Sequence, residues 1–237
     1  MNKTVFLLAV LFAGSLLLSP LAFAEPAPAN KDDNPKSTSI EKKIEYPQVK
    51  LRTEMGDIVL ELYSNKAPIS VDNFIKNSNN YHYDGLIFHR VIRGFMIQSG
   101  GHTFDMTFRE SGRDPIANES SNGLSNIRGS IAMARMPDPD SAQAQFFINH
   151  GNNPRLDGSA AKPGYAVFGM VVSGMDVVDA IASVEVRNLG IYGNVPVTPI
   201  RILSARLLNP DAWKPLSNEK PDPKQEPVYE IPTPLNR

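Results

Sequence analysis

The chain contains no cysteine among its 237 residues. That absence removes disulfide staples, thiol nucleophiles, thiol redox chemistry and cysteine-based zinc sites together. Stability therefore has to come from an ordinary apolar core. Long apolar runs are also lacking: Val5 to Leu18 is the only extended one, and it falls short of the about 20 residues of a comfortable membrane span. No charge of one sign dominates, since 24 Lys and Arg against 25 Asp and Glu leave a formal net charge of -1. Neither nucleic acid nor an anionic membrane surface is an expected partner. Histidine is scarce, and His82, His89, His102 and His150 share no i, i+4 spacing, so neither a metal nor another cofactor is expected.

What is present divides into four stretches. Lys3 gives a positive start, the apolar run follows, and Ala22-Phe23-Ala24 puts small residues where a signal peptidase requires them; residues 1–24 read as a signal peptide cleaved before Glu25. No Cys follows the run to carry a lipid. A periplasmic location is expected, with secretion as the other destination and no membrane contact after cleavage. Residues 25–46 are rich in Pro, Lys, Asp, Asn and Ser and poor in large apolar groups, a composition that buries too little surface to offset ordering entropy; they read as a flexible linker. Residues 210–237 carry Pro215, Pro221, Pro223, Pro227, Pro232 and Pro234 among charges and read as a Pro-rich tail. The stretch between, 47–209, has the size of one domain of roughly 100–200 residues.

Within it, apolar alternation over Val49–Thr53 and Ile58–Tyr63, broken at Glu54–Asp57, predicts an opening β-hairpin. Pro68 starts a predicted helix with Val71, Phe74 and Ile75 at helical spacing, ending near Asn77–Asn80. Leu86–Ile92, Phe95–Gln98, Gly129–Ala134, Gln145–Asn149 and Ala166–Val172 read as short strands. A second helix is expected after Gly174 through Met175, Val178 and Ile181, and a last strand over Pro199–Leu208. Many short strands with only two helices predict a mainly β fold, a closed or nearly closed antiparallel barrel without exposed edges.

The motifs that carry chemistry are Phe88-His89-Arg90-Val91-Ile92, Gly94-Phe95-Met96-Ile97-Gln98, Gly129 through Arg135, Gln145-Phe146-Phe147-Ile148-Asn149, Leu156-Asp157-Gly158 and Tyr165-Ala166-Val167-Phe168-Gly169. In this order they resemble the cyclophilins, peptidyl-prolyl cis/trans isomerases, and most the exported bacterial branch. The resemblance implies an eight-stranded antiparallel closed β-barrel capped by two α-helices, binding peptide on an outer face. It implies that Arg90 is catalytic, and that Phe95, Met96, Phe147 and Leu156 form the apolar pocket for the proline ring. Gln98 and Gln145 would bind the flanking backbone, and Ala134 would let the substrate approach an exposed strand.

The residue types fit such chemistry. Rotation about a peptide bond passes a twisted amide, with a barrier of about 18–20 kcal/mol. An enzyme lowers it by binding the twisted form better than the planar one. The prolyl nitrogen then regains a lone pair, and an Arg, always protonated, is always able to donate to it. Strand alternation puts Met96 and Gln98 on one face; Phe95 has the other parity, but a bend at Gly94 can reorient it. His89, at opposite parity to Arg90, reads as a satisfied structural histidine.

Three positions depart from the eukaryotic pattern. Arg155 stands where those proteins carry Trp, which implies weak cyclosporin binding. Tyr165 stands where they carry His and is retained as a binding residue. Arg135 replaces a small polar residue, either adding charge at the rim or altering the preference for the residue before proline. Asn118-Glu119-Ser120 fits a glycosylation sequon that the resemblance to bacterial proteins makes incidental, and Asp138-Pro139-Asp140 reads as a turn cap. The function expected is isomerisation of Xaa-Pro bonds in Pro-containing exported polypeptides, by a monomer. The alternative is a chaperone or scaffold module that binds Pro segments with little catalysis. The tail's Glu226-Pro227, Ile231-Pro232 and Thr233-Pro234 bonds make it a candidate occupant of the groove, although a spacer is the ordinary role.

Overall fold

Alternating burial places Val49 and Leu51 of β1 (Gln48–Thr53) and Ile58, Leu60 and Leu62 of β2 (Gly56–Leu62) on one fully buried face. The two strands pair antiparallel across the short turn expected there, with Leu51 opposite Ile58. The computed structural model describes residues 45–159 and 161–216. The expected signal peptide, the linker to residue 44 and the tail beyond residue 216 lie outside the described residues.

Helix α1 (Pro68–Asn79) begins with Pro in its first turn and buries Val71, Phe74 and Ile75. The strands β3 (Arg90–Ile92), β4 (Met96–Ser99), β5 (Ser130–Met133), β6 (Phe146–Asn149) and β7 (Val167–Ser173) follow. After them come α2 (Met175–Ala182), the hairpin β8 (Val186–Leu189) and β9 (Tyr192–Pro196), and β10 (Ile202–Leu207). Eight strands form one sheet in the order β10-β1-β2-β7-β5-β6-β4-β3, every pair antiparallel.

The sheet curls so that its ends meet, but the edge strands β3 and β10 do not pair with each other as strands. They are joined through a bridge between Ile87 and Arg201, with Phe88 N–H donating to Ile200 O (3.0 Å) and Ile202 N–H to Leu86 O (2.8 Å). The predicted single strand Leu86–Ile92 is therefore two pieces. Residues 86–88 bond toward the start of β10 and residues 90–92 toward β4, and the chain changes partner at His89. The β8–β9 hairpin, a separate two-stranded sheet, was not expected: all four β8 residues are exposed and show no alternation.

The enclosed face carries the main core, in which Phe74, Tyr83, Phe146 and Phe168 stack at centroid distances of 5.0–5.4 Å. Asn209 ties the two ends of the domain, accepting from Gln48 N–H (2.7 Å) and donating to Tyr46 O (2.9 Å). Beyond it Trp213 packs against the core and Leu216 N–H donates to Asp72 (3.1 Å). Among the described residues no helix is long and apolar enough to cross a membrane.

Candidate active site

Directly opposed residues in an antiparallel ladder point to the same face. The register aligns Val91, Ile97, Ile148 and Ile131 across β3, β4, β6 and β5, all buried in the main core. One residue along, Arg90, Gln98, Phe147 and Ala132 form the matching row on the outer face. Here Met96, Ala132, Phe147 and Val167 bury a second apolar cluster, and Ile92, Phe95, Leu124, Ala134, Leu156 and Tyr165 pack around it. Of the residues expected in the proline pocket, Phe95, Met96, Phe147 and Leu156 all belong to this cluster, together with Ala134 and Tyr165.

Phe95 reaches the cluster despite its parity because the chain turns ahead of it. Phe95 N–H donates to Ile92 O (3.0 Å), and Gly94 holds φ +78°, a conformation that glycine adopts without steric cost. The turn is pinned from behind: His150 N–H and the Asn153 amide both donate to Phe95 O, at 2.9 and 2.8 Å. Asn153 also donates to Asn149, whose own amide donates to Ser130 and Asn126. Asn126 in turn donates to Asp157 and to Tyr165 O, which couples the Phe95 turn to the opposite wall of the pocket.

Arg90 stands at the β3 end of the outer row, half-buried, and its guanidinium makes no hydrogen bond or ion pair among the described residues. Beside it Gln98 Nε2 donates to Gln145 Oε1 (2.9 Å), so the two expected polar contacts form a linked pair. Gln145 O accepts from Ala134 N–H (2.9 Å), extending the β5–β6 ladder by one rung to the groove's rim. The Gln98–Gln145 pair borders a hollow of about 240 Å³ lined also by Gly100, Arg109, Met136 and Gln143. A second hollow of about 290 Å³ lies beside Tyr165, between Arg135, Pro137, Arg155, Leu156 and Pro163.

Arg135 lies at the groove's rim, lining both hollows, and its fork turns to backbone carbonyls rather than into open space. His89 is buried as expected, but it is not fully satisfied, because its Nδ1 has no hydrogen-bond partner. Its ring lies 4.5 Å from that of His102, and burial, with His102 and Arg90 acting the same way, pushes it down to about 3.

The two sequence motifs set aside earlier have structural work. Asn118 donates to Gly164 O (3.1 Å), Ser120 accepts from Gly164 N–H (2.8 Å), Asp138 accepts from Asp140 N–H within its turn, and Asp140 accepts from Asn118 N–H of the distant loop. Among the described residues no cluster suits a metal ion. Sequence reading missed Ala132, Val167, Ile92 and Leu124. Register with Phe147 would have found the first two; Leu124 sits in a loop with no periodic signal.

Fold and groove define an antiparallel curled β-sheet protein with an apolar pocket and an unpaired cation on the sheet's outer face. The chain belongs to the cyclophilin type peptidyl-prolyl cis-trans isomerase family, whose model, cyclophilin type peptidyl-prolyl cis-trans isomerase/CLD, matches residues 48–207. It is 51% identical over 159 residues to a peptidyl-prolyl cis-trans isomerase of Acinetobacter baylyi, covering 67% of this chain and 84% of that one. Peptidyl-prolyl cis-trans isomerase B of Escherichia coli is 45% identical, with 66% and 96% covered. A solved Cryptosporidium parvum cyclophilin, crystallised in the presence of the dipeptide Ala-Pro, has the same fold at a TM-score of 0.57 and 24% identity, with 68% of this chain and 98% of that one covered.

Proposed function

We propose that this isomerase works through Arg90, with the outer-face cluster as its proline pocket. The ring of the proline enters between Phe95, Met96, Phe147, Leu156 and Tyr165, and burial there fixes one side of the Xaa-Pro bond. Gln98 and Gln145 hold the flanking backbone, leaving the carbonyl side free to rotate. As the amide twists, the prolyl nitrogen becomes an acceptor, and Arg90 donates to it without any proton being transferred. Catalysis then comes from a contact stronger in the twisted state than in either planar one. The observation that carries this reading is the row Arg90–Gln98–Phe147, which puts an unpaired guanidinium and an aromatic wall on either side of one amide.

The substrates we propose are Pro-containing segments of unfolded exported polypeptides, met in the periplasm by a monomer whose signal peptide has been removed. The composition of residues 1–24 supports this, as does the slowness of uncatalysed isomerisation, tens to hundreds of seconds. A chaperone role is secondary to turnover. Weak cyclosporin binding follows from Arg155, an exposed charge beside Leu156.

The test is the cis-to-trans relaxation of a short Ala-Pro-containing peptide, followed by NMR with and without the protein. Acceleration in proportion to enzyme concentration is expected; none at any concentration leaves only the Pro-binding module. Fractionation of the native host then checks the location, and recovery with the cytoplasm contradicts the exported reading.

A further inference from the structure

Arg135 follows β5 at the rim of the groove, in the place expected to touch substrate. Its side chain is otherwise engaged. Nε donates to Gly164 O (3.2 Å), Nη1 to Met136 O (2.9 Å) and Pro137 O (3.2 Å), and Nη2 to Pro163 O (3.0 Å). A guanidinium has five N–H donors, so these four bonds leave little of the fork for a ligand. No carboxylate ion-pairs with it among the described residues. The same guanidinium lies over the ring of Tyr165, 4.8 Å from its centroid, and that ring meets Phe147 edge-on at 5.6 Å.

Two backbone segments are joined by this one side chain. Residues 136–137 continue from β5, and residues 163–164 lead into Tyr165 and β7. Tyr165 is attached to the rest of the pocket through its own backbone, N–H to Leu156 O (2.8 Å) and carbonyl from Asn126 (3.3 Å). Those bonds fix its Cα but leave its ring free to choose a rotamer. The cation over the ring face and Phe147 at the edge select one. A Lys at position 135 has no planar fork to serve carbonyls on both segments at once.

We propose that Arg135 is a positioning residue for the isomerase: it clamps the segment 163–164 to the segment 136–137 and holds the Tyr165 ring as a preset wall of the proline pocket. The inference rests on the isomerase reading of the groove and deepens it. The clamp acts in the free protein, before the bond twists. Its loss therefore weakens ground state and twisted state alike, raising KM and leaving kcat. An electrostatic role toward substrate would behave otherwise, surviving in Arg135→Lys and fading with salt.

The experiment is peptide isomerisation kinetics on wild type, Arg135→Lys, Arg135→Ala, Tyr165→Ala and the double variant Arg135→Ala/Tyr165→Ala. Both Arg135 variants are expected to raise KM by roughly five- to thirty-fold, the effect of one modest contact, with kcat within about two-fold of wild type. In the Tyr165→Ala background, Arg135→Ala is expected to change KM by less than about two-fold, because the ring it would position is gone. Should Arg135→Ala fail to fold, Arg135→Lys and the resonances of the Tyr165 ring, expected to shift and broaden, carry the test. Wild-type KM in Arg135→Lys overturns the clamp, as does a full Arg135→Ala effect without Tyr165. No catalysis by the wild type overturns the isomerase reading instead.

Discussion

His89 and His102 stack behind Arg90 with both rings nearly closed to water. Phe108 and Tyr192 flank His102, and among the described residues no carboxylate ion-pairs with either histidine. Burial lowers His89 to about 3 from the ordinary 6.5, and burial lowers His102 and His82 as well. The folded chain thus keeps the His89 ring neutral where the unfolded chain protonates it below about pH 6.5. Stability should be flat above that value and fall as pH drops toward about 3, where folded His89 takes its own proton. The slope from His89 alone is about 1.4 kcal/mol per pH unit. Urea unfolding at about pH 7.5 and about pH 5 checks this: the midpoint should be lower at the acid value, and equal midpoints contradict it.

At the scale of elements, α1 has no side-chain cap of its own; a loop residue far along the chain supplies one. Glu119 accepts from the N–H groups of Ile69 (3.0 Å) and Ser70 (2.8 Å), anchoring the loop before β5 to the helix N-terminus. Glu119→Ala should cost about 0.5–2 kcal/mol in urea unfolding, the usual size of a cap, and no change in midpoint refutes the cap. Such a long-range cap leaves no trace in the sequence around Pro68. The hairpin β1–β2, both helices and the cores of β4, β5, β6, β7 and β10 were legible because alternation or helical spacing marks a buried face. Leu86–Ile92 misled because apolar residues on both sides of His89-Arg90 say that the run is buried, not which partner each half bonds. The β8–β9 hairpin was invisible because exposed Val186, Arg187, Asn188 and Leu189 carry no face at all.

For the whole molecule, one curled sheet serves two apolar clusters, the enclosed core and the outer pocket. Sequence could bring the pocket residues together only through family resemblance, since Phe95, Phe147, Leu156 and Tyr165 lie on four separate segments. What it could not reach were the asparagines 126, 149 and 153 that brace the pocket, or that Arg135 serves carbonyls. The ends matter to the whole as well. A chain stopped at Leu208 loses the Asn209 clasp and Trp213, and should unfold at lower urea than one stopped at Leu216, by about 1–3 kcal/mol; identical midpoints would make that segment an idle appendage. The central claim is that Arg90 donates to the twisted amide and to nothing else. Steady-state isomerisation by Arg90→Ala tests it most directly: kcat should fall about 10²–10³-fold, as when one transition-state donor is removed, while KM and peptide binding stay close to wild type. Unchanged kcat, or a loss carried entirely by KM, would contradict it.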